Sequence, residues 1–222
     1  MEKKCIIKVG GSICNPAILK KLGEIFKEMY GRYKFAIIPG GGRFADLVRK
    51  VDREFKLSPI NSDKMAILAM DQYGLLLSDV MKLPTTDKLK ELKNLENAKQ
   101  PPIFLPSKHF FRESPLPHSW EVTSDSIAAY LASKINADRV ILVKDVDGIF
   151  TSDPKKSTQA KLIKKITAKE LIALRKRTCV DSFLPKLLLK HKLSCYIVNG
   201  QHPKRIKDLL KKRKTVCTEI LP

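Results

Sequence analysis

Residues 5–12 read Cys-Ile-Ile-Lys-Val-Gly-Gly-Ser, and Asn15 and Pro16 follow shortly after them. The apolar and largely β-branched residues predict a buried strand over 5–9. Proline suits the first position of a helix, because its missing N–H would have no partner there. The chain is therefore expected to run from a strand through a glycine turn into a helix.

This turn has the composition of an anion site. Backbone N–H groups at the start of a helix lack intrahelical partners, so they attract phosphate or carboxylate groups. Lys8 stands just before Gly10 and Gly11 and adds a positive charge near the same place. A tight strand–helix connection beside a surface lysine is the other interpretation, and this stretch alone does not separate the two.

The same order of elements recurs immediately downstream. A strand is predicted over 34–38, a glycine run at Gly40, Gly41 and Gly42, and a helix over 43–55. Strands that alternate with helices favour a parallel α/β sheet, whose ligands bind at the carboxyl ends of the strands. Glycines without Cβ atoms would let an anion approach the backbone, but close packing of a helix on a strand also requires them.

The rest of the chain continues the α/β pattern. The segment 106–118 is rich in proline and is interpreted as a loop that could cover a site. Further helices are predicted over 16–30, 62–81, 123–134, from 167, over 183–192 and 203–211, with a solvated helix in 84–100; strands are predicted over 103–105, 139–143, 162–166, 195–198 and 216–220.

Composition limits the class of protein. The 222 residues fit one domain, or two small lobes on one sheet, and 43% hydrophobic residues can build a sizeable core. No apolar run reaches the roughly 20 residues that span a bilayer, and the N-terminus shows no signal-peptide core. Five cysteines without a CxxC pair indicate reduced thiols in a cytoplasmic protein.

The chain is strongly basic, with 43 Lys and Arg against 23 Asp and Glu and a formal net charge of +20. Such a charge would fit a nucleic-acid-binding protein. The basic residues are spread along the whole chain, however, and form no tail or arm. We therefore expect the positive field to attract small anionic substrates, and we expect neither a nucleic acid nor a membrane as partner.

Two further motifs carry residues suited to a site. Thr123-Ser124-Asp125 precedes a predicted helix, so Asp125 is either a helix cap or a functional carboxylate. Residues 144–150 read Lys-Asp-Val-Asp-Gly-Ile-Phe and follow a predicted parallel strand. Asp and Gly are typical of turns, so this segment is either a plain turn or part of a ligand site at the edge of the sheet.

Together these segments resemble the amino-acid kinase superfamily. Its motifs correspond here to residues 8–12, 39–42, 123–125 and 144–150, and to 153–155, in the same order over nearly the whole chain. The resemblance implies an α/β fold, a three-layer αβα sandwich with a mainly parallel central sheet. It also implies transfer of the γ-phosphoryl group of ATP, with Mg²⁺ accompanying ATP, and a homo-oligomer in the cytoplasm.

Within the superfamily, the details are most similar to the archaeal branch that phosphorylates [5-(aminomethyl)furan-3-yl]methyl phosphate in methanofuran biosynthesis. Residues 42–46, 69–73, 180–185, 198–200 and 217–218 carry this similarity. That reaction converts a phosphate monoester into a diphosphate. Kinases of the same fold that act on uridylate, isopentenyl phosphate or a phosphonate are the first alternative. An ATP-binding storage or regulatory protein without transfer is the second.

The resemblance implies roles for named residues. Lys8 and Lys186 would flank the transferring phosphoryl group, and Asp125 would orient both ammonium groups. An acceptor that carries an aminomethyl group requires a facing carboxylate, for which Asp46 and Asp71 are the hypotheses. No metal ligand is assigned. The expected ATP-binding residues are Gly10, Gly11, Ser12, Lys144, Asp145, Asp147, Gly148, Phe150, Asp153, Pro154 and Lys155; the expected acceptor-binding residues are Gly40, Gly41, Gly42, Arg43, Asp46 and Asp71.

The chain is expected to form one domain over 1–222, with an acceptor-side lobe over about 1–120 and an ATP-side lobe over about 121–222.

Overall fold

A mainly parallel sheet of eight strands forms the centre of the computed structural model, which describes residues 4–154 and 156–222. The strands are β1 (Lys4–Val9), β2 (Lys34–Pro39), β3 (Thr85–Thr86), β4 (Ile103–Phe104), β5 (Arg139–Lys144), β6 (Ile149–Phe150), β7 (Leu162–Ile163), β8 (Lys165–Thr167), β9 (Ser194–Asn199) and β10 (Thr218–Leu221). The helices are α1 (Pro16–Tyr30), α2 (Gly42–Phe55), α3 (Pro59–Met81), α4 (Leu89–Lys93), α5 (Ser107–Glu113), α6 (Ser124–Lys134), α7 (Ala168–Ala173), α8 (Leu184–His191) and α9 (Lys204–Leu210), with a 3₁₀ turn at Leu95–Asn97.

The strands of the large sheet lie in the order β3-β4-β2-β1-β5-β9-β10-β8, and β6 pairs with β7 separately. β1 is parallel to both of its neighbours, with Lys8 opposite Ile38 on β2 and opposite Leu142 on β5. Only the pair of β9 and β10 is antiparallel among the described strands of this sheet. The carboxyl ends of β1, β2, β5 and β9 therefore meet at one edge.

Both faces of the sheet are covered, because alternate residues of each central strand enter different cores. On β1, Ile6 belongs to the core that contains α6 and α8, whereas Cys5 and Ile7 belong to the core that contains α1 and α9. A strand buried on both faces is a nearly continuous apolar run, as residues 5–9 are. The predicted three-layer αβα sandwich is confirmed.

The first helix begins where the sequence indicates. The side chain of Asn15 accepts hydrogen bonds from the backbone N–H groups of Ala17 and Ile18 at 2.9 and 3.2 Å, and Pro16 occupies the first turn. An N-cap of this kind stabilises a helix by about 1 kcal/mol. The helix thus starts directly after the glycine turn.

Four predicted segments differ from the structure, and one of them is the strand over 162–166, which divides into β7 and β8 of two different sheets. Helix α3 begins at Pro59, before position 62, because Ser58 caps it by accepting from Asn61 N at 3.3 Å. The segment 84–100 is not one solvated helix, since Leu92 and Leu95 are fully buried and anchor two short turns in the core. The segment 106–118 is not a loop throughout, because α5 occupies its first half.

Within the described parts of the chain, no helix combines the length and the apolar character needed to cross a bilayer. The halves 1–120 and 121–222 share the sheet, because β1 of the first pairs with β5 of the second.

Candidate active site

Three charged side chains meet on one face of the sheet. Side chains alternate along a strand, so Lys8 of β1 lies on the same face as Ile6, the face that α6 covers. On β5, Lys144 shares a face with Leu142, which belongs to the same core. Asp125 lies in the first turn of α6. The strand period and the register of β1 against β5 therefore direct both lysines at the start of α6.

Asp125 bridges the two lysines. Its Oδ1 lies 3.0 Å from Lys8 Nζ, and its Oδ2 accepts a hydrogen bond from Lys144 Nζ at 2.7 Å. Lys8 is only 5% exposed and Asp125 only 2% exposed. Thr123 is the N-cap residue of α6 and accepts from Asp125 N at 3.3 Å. Both carboxylate oxygens of Asp125 thus contact the lysines, and the carboxylate does not cap the helix.

Burial and the mutual charges of this Lys8–Asp125–Lys144 cluster together shift the pKa values of its three groups. Burial by itself would raise the pKa of Asp125, but the two ammonium groups outweigh it and lower the pKa to about 2. Burial also opposes the charge of Lys144, yet the ion pair with Asp125 raises its pKa. The pKa of Lys8 is lowered, because burial and the repulsion from Lys144 together outweigh the attraction of Asp125.

One carboxylate shared by two ammonium groups leaves a buried net positive charge. A buried charge is costly unless an opposite charge compensates it. An anion beside Lys8 and Lys144 would supply that charge, so this cluster is suited to bind a phosphoryl group.

The glycine turns after β1 and β2 pack against each other. A Cβ atom built on Gly11 would lie 2.1 Å from Gly42 Cα, and one built on Gly40 would lie 2.8 Å from Gly11 N. Gly42 also has φ +54°, a left-handed conformation that favours glycine. Two of the turn amides are already used, since Gly10 N donates to Val143 O and Gly40 N donates to Val9 O, both at 2.8 Å. Close packing is therefore one reason for these glycines.

The remaining part of the turns still offers an anion site. Helix α2 has Gly41 as its N-cap residue and receives no side-chain cap. Its first N–H groups therefore keep their capacity to bind an anion. Gly41 and Gly42 line a cavity of about 440 Å³ together with Gly11, Ser12 and Lys8.

A second cavity of about 1080 Å³ adjoins the first. The walls of the two cavities share Lys144 and Thr123, so the charged cluster lies where the cavities meet. Asp125 and Lys186 line the larger cavity, and Lys8 lines the smaller one.

The expected pairing of Asp125 with Lys186 is wrong, because Lys144 occupies that position. Lys186 lies in the first turn of α8, is exposed, and has its Nζ 5.6 Å from the centre of the Phe183 ring. The end of β5 brings Lys144 into the buried cluster, whereas the start of α8 leaves Lys186 in the wall of the larger cavity. Side chains alternate between the two faces of the strand over 139–144, and this alternation could have identified Lys144 as a partner of Asp125 from the sequence.

Asp181 connects the first turns of α6 and α8. Its carboxylate accepts from the N–H and hydroxyl groups of Thr123 at 2.9 and 2.8 Å and from those of Ser126 at 3.0 and 2.6 Å. It also accepts from Leu184 N at 2.8 Å. Burial is the main reason that its pKa is raised, with the nearby charge of Asp125 adding to the effect. One side chain thus positions α6, which carries Asp125, and α8, which carries Lys186.

The sequence profile of the Amino acid kinase family matches residues 3–199. The chain belongs to this family. A [5-(aminomethyl)furan-3-yl]methyl phosphate kinase of Methanocaldococcus jannaschii is 37% identical over 218 residues, which cover 97% of each chain. A uridylate kinase of Methanococcus aeolicus is 29% identical over 93% of this chain and 95% of its own. The predicted resemblance to the superfamily and to its furan-phosphate branch is confirmed.

Solved structures agree with the family fold. The UMP kinase of Ureaplasma parvum superposes with a TM-score of 0.77 at 19% identity, covering all of both chains. The uridylate kinase of Archaeoglobus fulgidus has a TM-score of 0.75 at 20% identity, over 98% of this chain and 99% of its own. Identities this low establish the fold alone.

In this family member, the residues expected at ATP lie in different environments. Asp145 lines the smaller cavity. Asp147 instead accepts from Asn199 Nδ2 at 2.9 Å and from Arg205 Nη1 at 2.6 Å, which lower its pKa although burial opposes them. Asp147 therefore connects the turn after β5 to the end of β9 and to α9.

The rest of the expected ATP segment lies beyond the cavity walls. Gly148 is needed for close packing, since a Cβ atom there would lie 2.2 Å from Thr218 Oγ1. Phe150 belongs to β6 and pairs with Leu162. Asp153 and Pro154 lie in the exposed loop that follows, and Lys155 lies outside the described residues.

The residues expected to bind the acceptor also lie in different places, and only some of them line a cavity. Asp46 lines the smaller cavity and pairs with Arg49 at 3.1 Å. Arg43 is exposed on α2, away from the walls of both cavities. The structure does not bring Asp71 to either cavity, because its carboxylate accepts from the N–H of Ser107 at 3.3 Å and from the Ser107 hydroxyl. Burial is the main reason that the pKa of Asp71 is raised.

Several wall residues were not identified from the sequence. Arg49, Asp63, Trp120 and Arg177 line both cavities. They come from α2, α3 and two connecting segments, so no local motif unites them. The described residues contain no group of three or more His, Cys, Asp or Glu side chains placed to hold a metal ion.

Proposed function

We propose that this chain is an ATP-dependent kinase that phosphorylates a phosphate monoester and so forms a diphosphate, with [5-(aminomethyl)furan-3-yl]methyl phosphate as the acceptor. The observation that carries the proposal is the buried Lys8–Asp125–Lys144 cluster at the junction of two cavities. The identity of the acceptor rests on the 37% identical relative.

Phosphoryl transfer requires two anions to be held in line while their charge is neutralised. Lys8 and Lys144 contribute that neutralisation from the floor of the site, and Lys186 contributes it from the wall of the larger cavity. The N–H groups at the start of α2 bind phosphate oxygens beside Lys8. These groups hold both phosphates before the reaction and stabilise the charge of the transition state.

No residue of the chain needs to remove a proton. An oxygen of the acceptor phosphate, already ionised at neutral pH, forms the new bond to the γ-phosphorus of ATP. The bond from that phosphorus to the β,γ-bridging oxygen breaks, and ADP leaves with the electron pair. Asp125 stays ionised because its pKa is about 2, so it orients the lysines throughout.

ATP is proposed to bind to the lobe formed by about 121–222, with Asp145 at its edge of the smaller cavity, and the acceptor to the lobe formed by about 1–120. Mg²⁺ accompanies ATP in this proposal and neutralises phosphate charge; it prefers phosphate and water oxygens, so no side chain is assigned to it. The chain is further proposed to act as a homo-oligomer in the cytoplasm.

A coupled assay of ADP release against an acceptor panel tests the function. The panel contains the aminomethylfuran phosphate, uridylate, isopentenyl phosphate and a phosphonate. We expect the highest kcat/KM with the aminomethylfuran phosphate and a diphosphate product by ³¹P NMR. A higher kcat/KM with another member of the panel would contradict the assigned acceptor.

Uridylate phosphorylation is the second candidate, because a uridylate kinase is 29% identical over almost the whole chain. It would show as preferred turnover of uridylate in the same panel. ATP binding without turnover of any acceptor would favour a storage or regulatory protein. Salt-resistant binding to DNA or RNA would favour a nucleic-acid partner, since non-specific binding weakens steeply with salt.

A further inference from the structure

The larger cavity has an acidic side, although the chain carries a net charge of +20. One part of its wall is basic and comes from the segment before α8 and from α8 itself. Another part is acidic and lies around the start of α3 and the segment before α6. The basic part contains Arg175, Lys176, Arg177 and Lys186, and the acidic part contains Asp52 of α2, Asp63 and Glu121 with Trp120 among them; Arg49 lies against Trp120 on the acidic side, and Lys144 lies at the junction with the smaller cavity.

Asp63 is the best placed of these acids to bind a cation. Its side chain is only 17% exposed, and it lines both cavities. His118 Nδ1 lies 2.7 Å from Asp63 Oδ2, and His118 Nε2 lies 2.9 Å from Ser114 Oγ. The tautomer that donates Nδ1–H to the carboxylate leaves Nε2 to accept from the Ser114 hydroxyl, so the imidazole holds one oxygen of Asp63 and leaves the other for a ligand. Among the described residues, none donates a hydrogen bond to Asp63 Oδ1.

Ser62 adds an independent observation beside Asp63. The residue is 4% exposed, and its buried Oγ has no hydrogen-bond partner among the described residues. Buried hydroxyl groups are nearly always hydrogen-bonded, so an unpartnered one indicates a missing partner. Ser62 lines the same cavity, which is where that partner would lie.

Trp120 provides a flat wall at the acidic side. Its Nε1 donates to Asp52 Oδ2 at 2.7 Å, and the Arg49 guanidinium lies 4.8 Å from the ring centre. These contacts occupy Asp52 and fix the indole. An aromatic plane beside a carboxylate suits a ligand that joins a small ring to an ammonium group.

We propose that Asp63 binds the ammonium group of the acceptor and thereby selects a phosphate monoester that carries a primary amine. Ser62 Oγ accepts a second hydrogen bond from that ammonium, and His118 is a positioning residue that holds Asp63. The acceptor phosphate then lies toward Lys8 and Lys144, and the ring lies toward Trp120. This inference rests on the proposed function and specifies which residue recognises the acceptor. Asp63 thus takes the amine-binding role that the sequence suggested for Asp71 or Asp46. Asp46 remains the competing candidate, although it already pairs with Arg49.

The test compares two acceptors that differ only in the amine. One is the aminomethylfuran phosphate, and the other is its des-amino analogue. Each is assayed with the wild type, Asp63→Asn, Asp46→Asn and, as a remote control, Asp79→Asn. We expect Asp63→Asn to lower the ratio of kcat/KM for the amine-bearing over the des-amino acceptor roughly 30-fold, the size of one lost charge-assisted hydrogen bond. Asp79→Asn leaves the ratio unchanged, because Asp79 is exposed and pairs with Lys82.

His118→Gln separates positioning from binding. The Gln side chain can still donate a hydrogen bond to Asp63, so His118→Gln should retain most of the preference for the amine-bearing acceptor. His118→Ala should lose that preference, mainly through a higher KM for the acceptor, while KM for ATP stays unchanged. Thermal unfolding confirms that each variant folds.

The inference and the proposed function fail in different ways. An unchanged ratio in Asp63→Asn, or a loss in Asp46→Asn alone, overturns the role of Asp63 while the kinase activity stands. Calorimetric binding of the amine-bearing acceptor that requires Asp63, without any turnover, supports the role of Asp63 and contradicts the function. A wild type that neither binds nor phosphorylates this acceptor overturns both.

Discussion

The charged centre depends on one carboxylate that serves two lysines. Lys8, Lys144 and Asp125 are buried together and retain a net positive charge, so they are suited to bind an anion. Lys186 differs, because it is exposed in the cavity wall and has no part in the folded core.

The two downstream lysines should therefore respond differently to substitution. Lys144→Met removes a 2.7 Å charge-assisted hydrogen bond to Asp125 but also relieves the buried excess of positive charge, so it should cost only about 1 kcal/mol of unfolding free energy as well as roughly 100-fold in kcat. Lys186→Met should lower kcat by a similar factor at unchanged stability. Urea unfolding and steady-state kinetics on both variants check this. Equal loss of stability in the two variants would contradict the assigned environments.

Asp125 should make the free energy of unfolding depend on pH. Its pKa falls from 3.8 in the unfolded chain to about 2 in the folded one. The charged form therefore stabilises the fold by about 2 kcal/mol above pH ~4, and this contribution disappears as the pH falls from ~4 to ~2.

Asp125→Asn removes that dependence. It should be less stable than the wild type at pH ~6, and the difference between the two proteins should shrink by about 2 kcal/mol at pH ~2. Urea unfolding at both pH values measures the difference. A difference that stays constant would show that the carboxylate of Asp125 is not stabilised by the lysines.

At the scale of elements, two strand–helix turns form the site by packing against each other. Gly11 lies so close to Gly42 that it has no room for a side chain, and Gly42 has φ +54°, a conformation that favours glycine. The contact places the start of α2 beside Lys8. The glycines of these turns thus allow close packing and leave the start of α2 open to the anion that we propose.

Gly11→Ala tests this contact. The added Cβ atom would lie 2.1 Å from Gly42 Cα, so backbone must move. We expect a loss of about 3 kcal/mol in unfolding free energy and a large rise in KM for a phosphate substrate. Gly31→Ala is the matched control, since nothing lies within 4 Å of its added Cβ atom. Calorimetric melting compares the two, and equal melting temperatures would refute the close contact.

Asp181 joins two helices into one unit. Replacing it by alanine leaves N–H and hydroxyl groups of Thr123 and Ser126 without their acceptor. We expect Asp181→Ala to cost about 3 kcal/mol of stability and to reduce kcat, because α6 and α8 both shift. Asp208→Ala is a control from another helix. Activity that falls without any loss of stability would indicate direct contact with substrate instead.

At the scale of the whole molecule, the two halves share one sheet. β1 lies inside the sheet, between β2 from its own half and β5 from the other. Removing the second half would expose one edge of β1 and the apolar face that α6 covers.

The fragment of residues 1–120 is therefore expected not to fold alone. Its β1 edge and the Ile6 face would lose their partners, and unpaired apolar strands aggregate. Far-UV circular dichroism and sedimentation of this fragment measure the outcome. The two fragments mixed together should recover structure. A cooperatively unfolding fragment 1–120 would show that the acceptor-side lobe is an independent domain.

Much of the fold follows from local sequence. Residues 5–9 alternate between two apolar faces with no polar interruption except Lys8, so they predict a doubly covered central strand. Asn15-Pro16 marks the start of α1 through its own cap. The prediction of one solvated helix over 84–100 is wrong. Leu92 and Leu95 are buried in the core by two turns that are too short to show the periodic apolar pattern of a helix.

The sequence by itself determined the strand–glycine–helix order, the family, and the presence of Lys8 and Asp125 at strand and helix ends. These features depend on neighbours in the chain, so local patterns reveal them. Only the tertiary structure decided that Lys144 and not Lys186 pairs with Asp125, that Asp181 accepts hydrogen bonds from the first turns of two helices, and that Asp63 and not Asp71 lines the cavities. Those partners are set by strand register and helix placement, which join residues far apart in the chain.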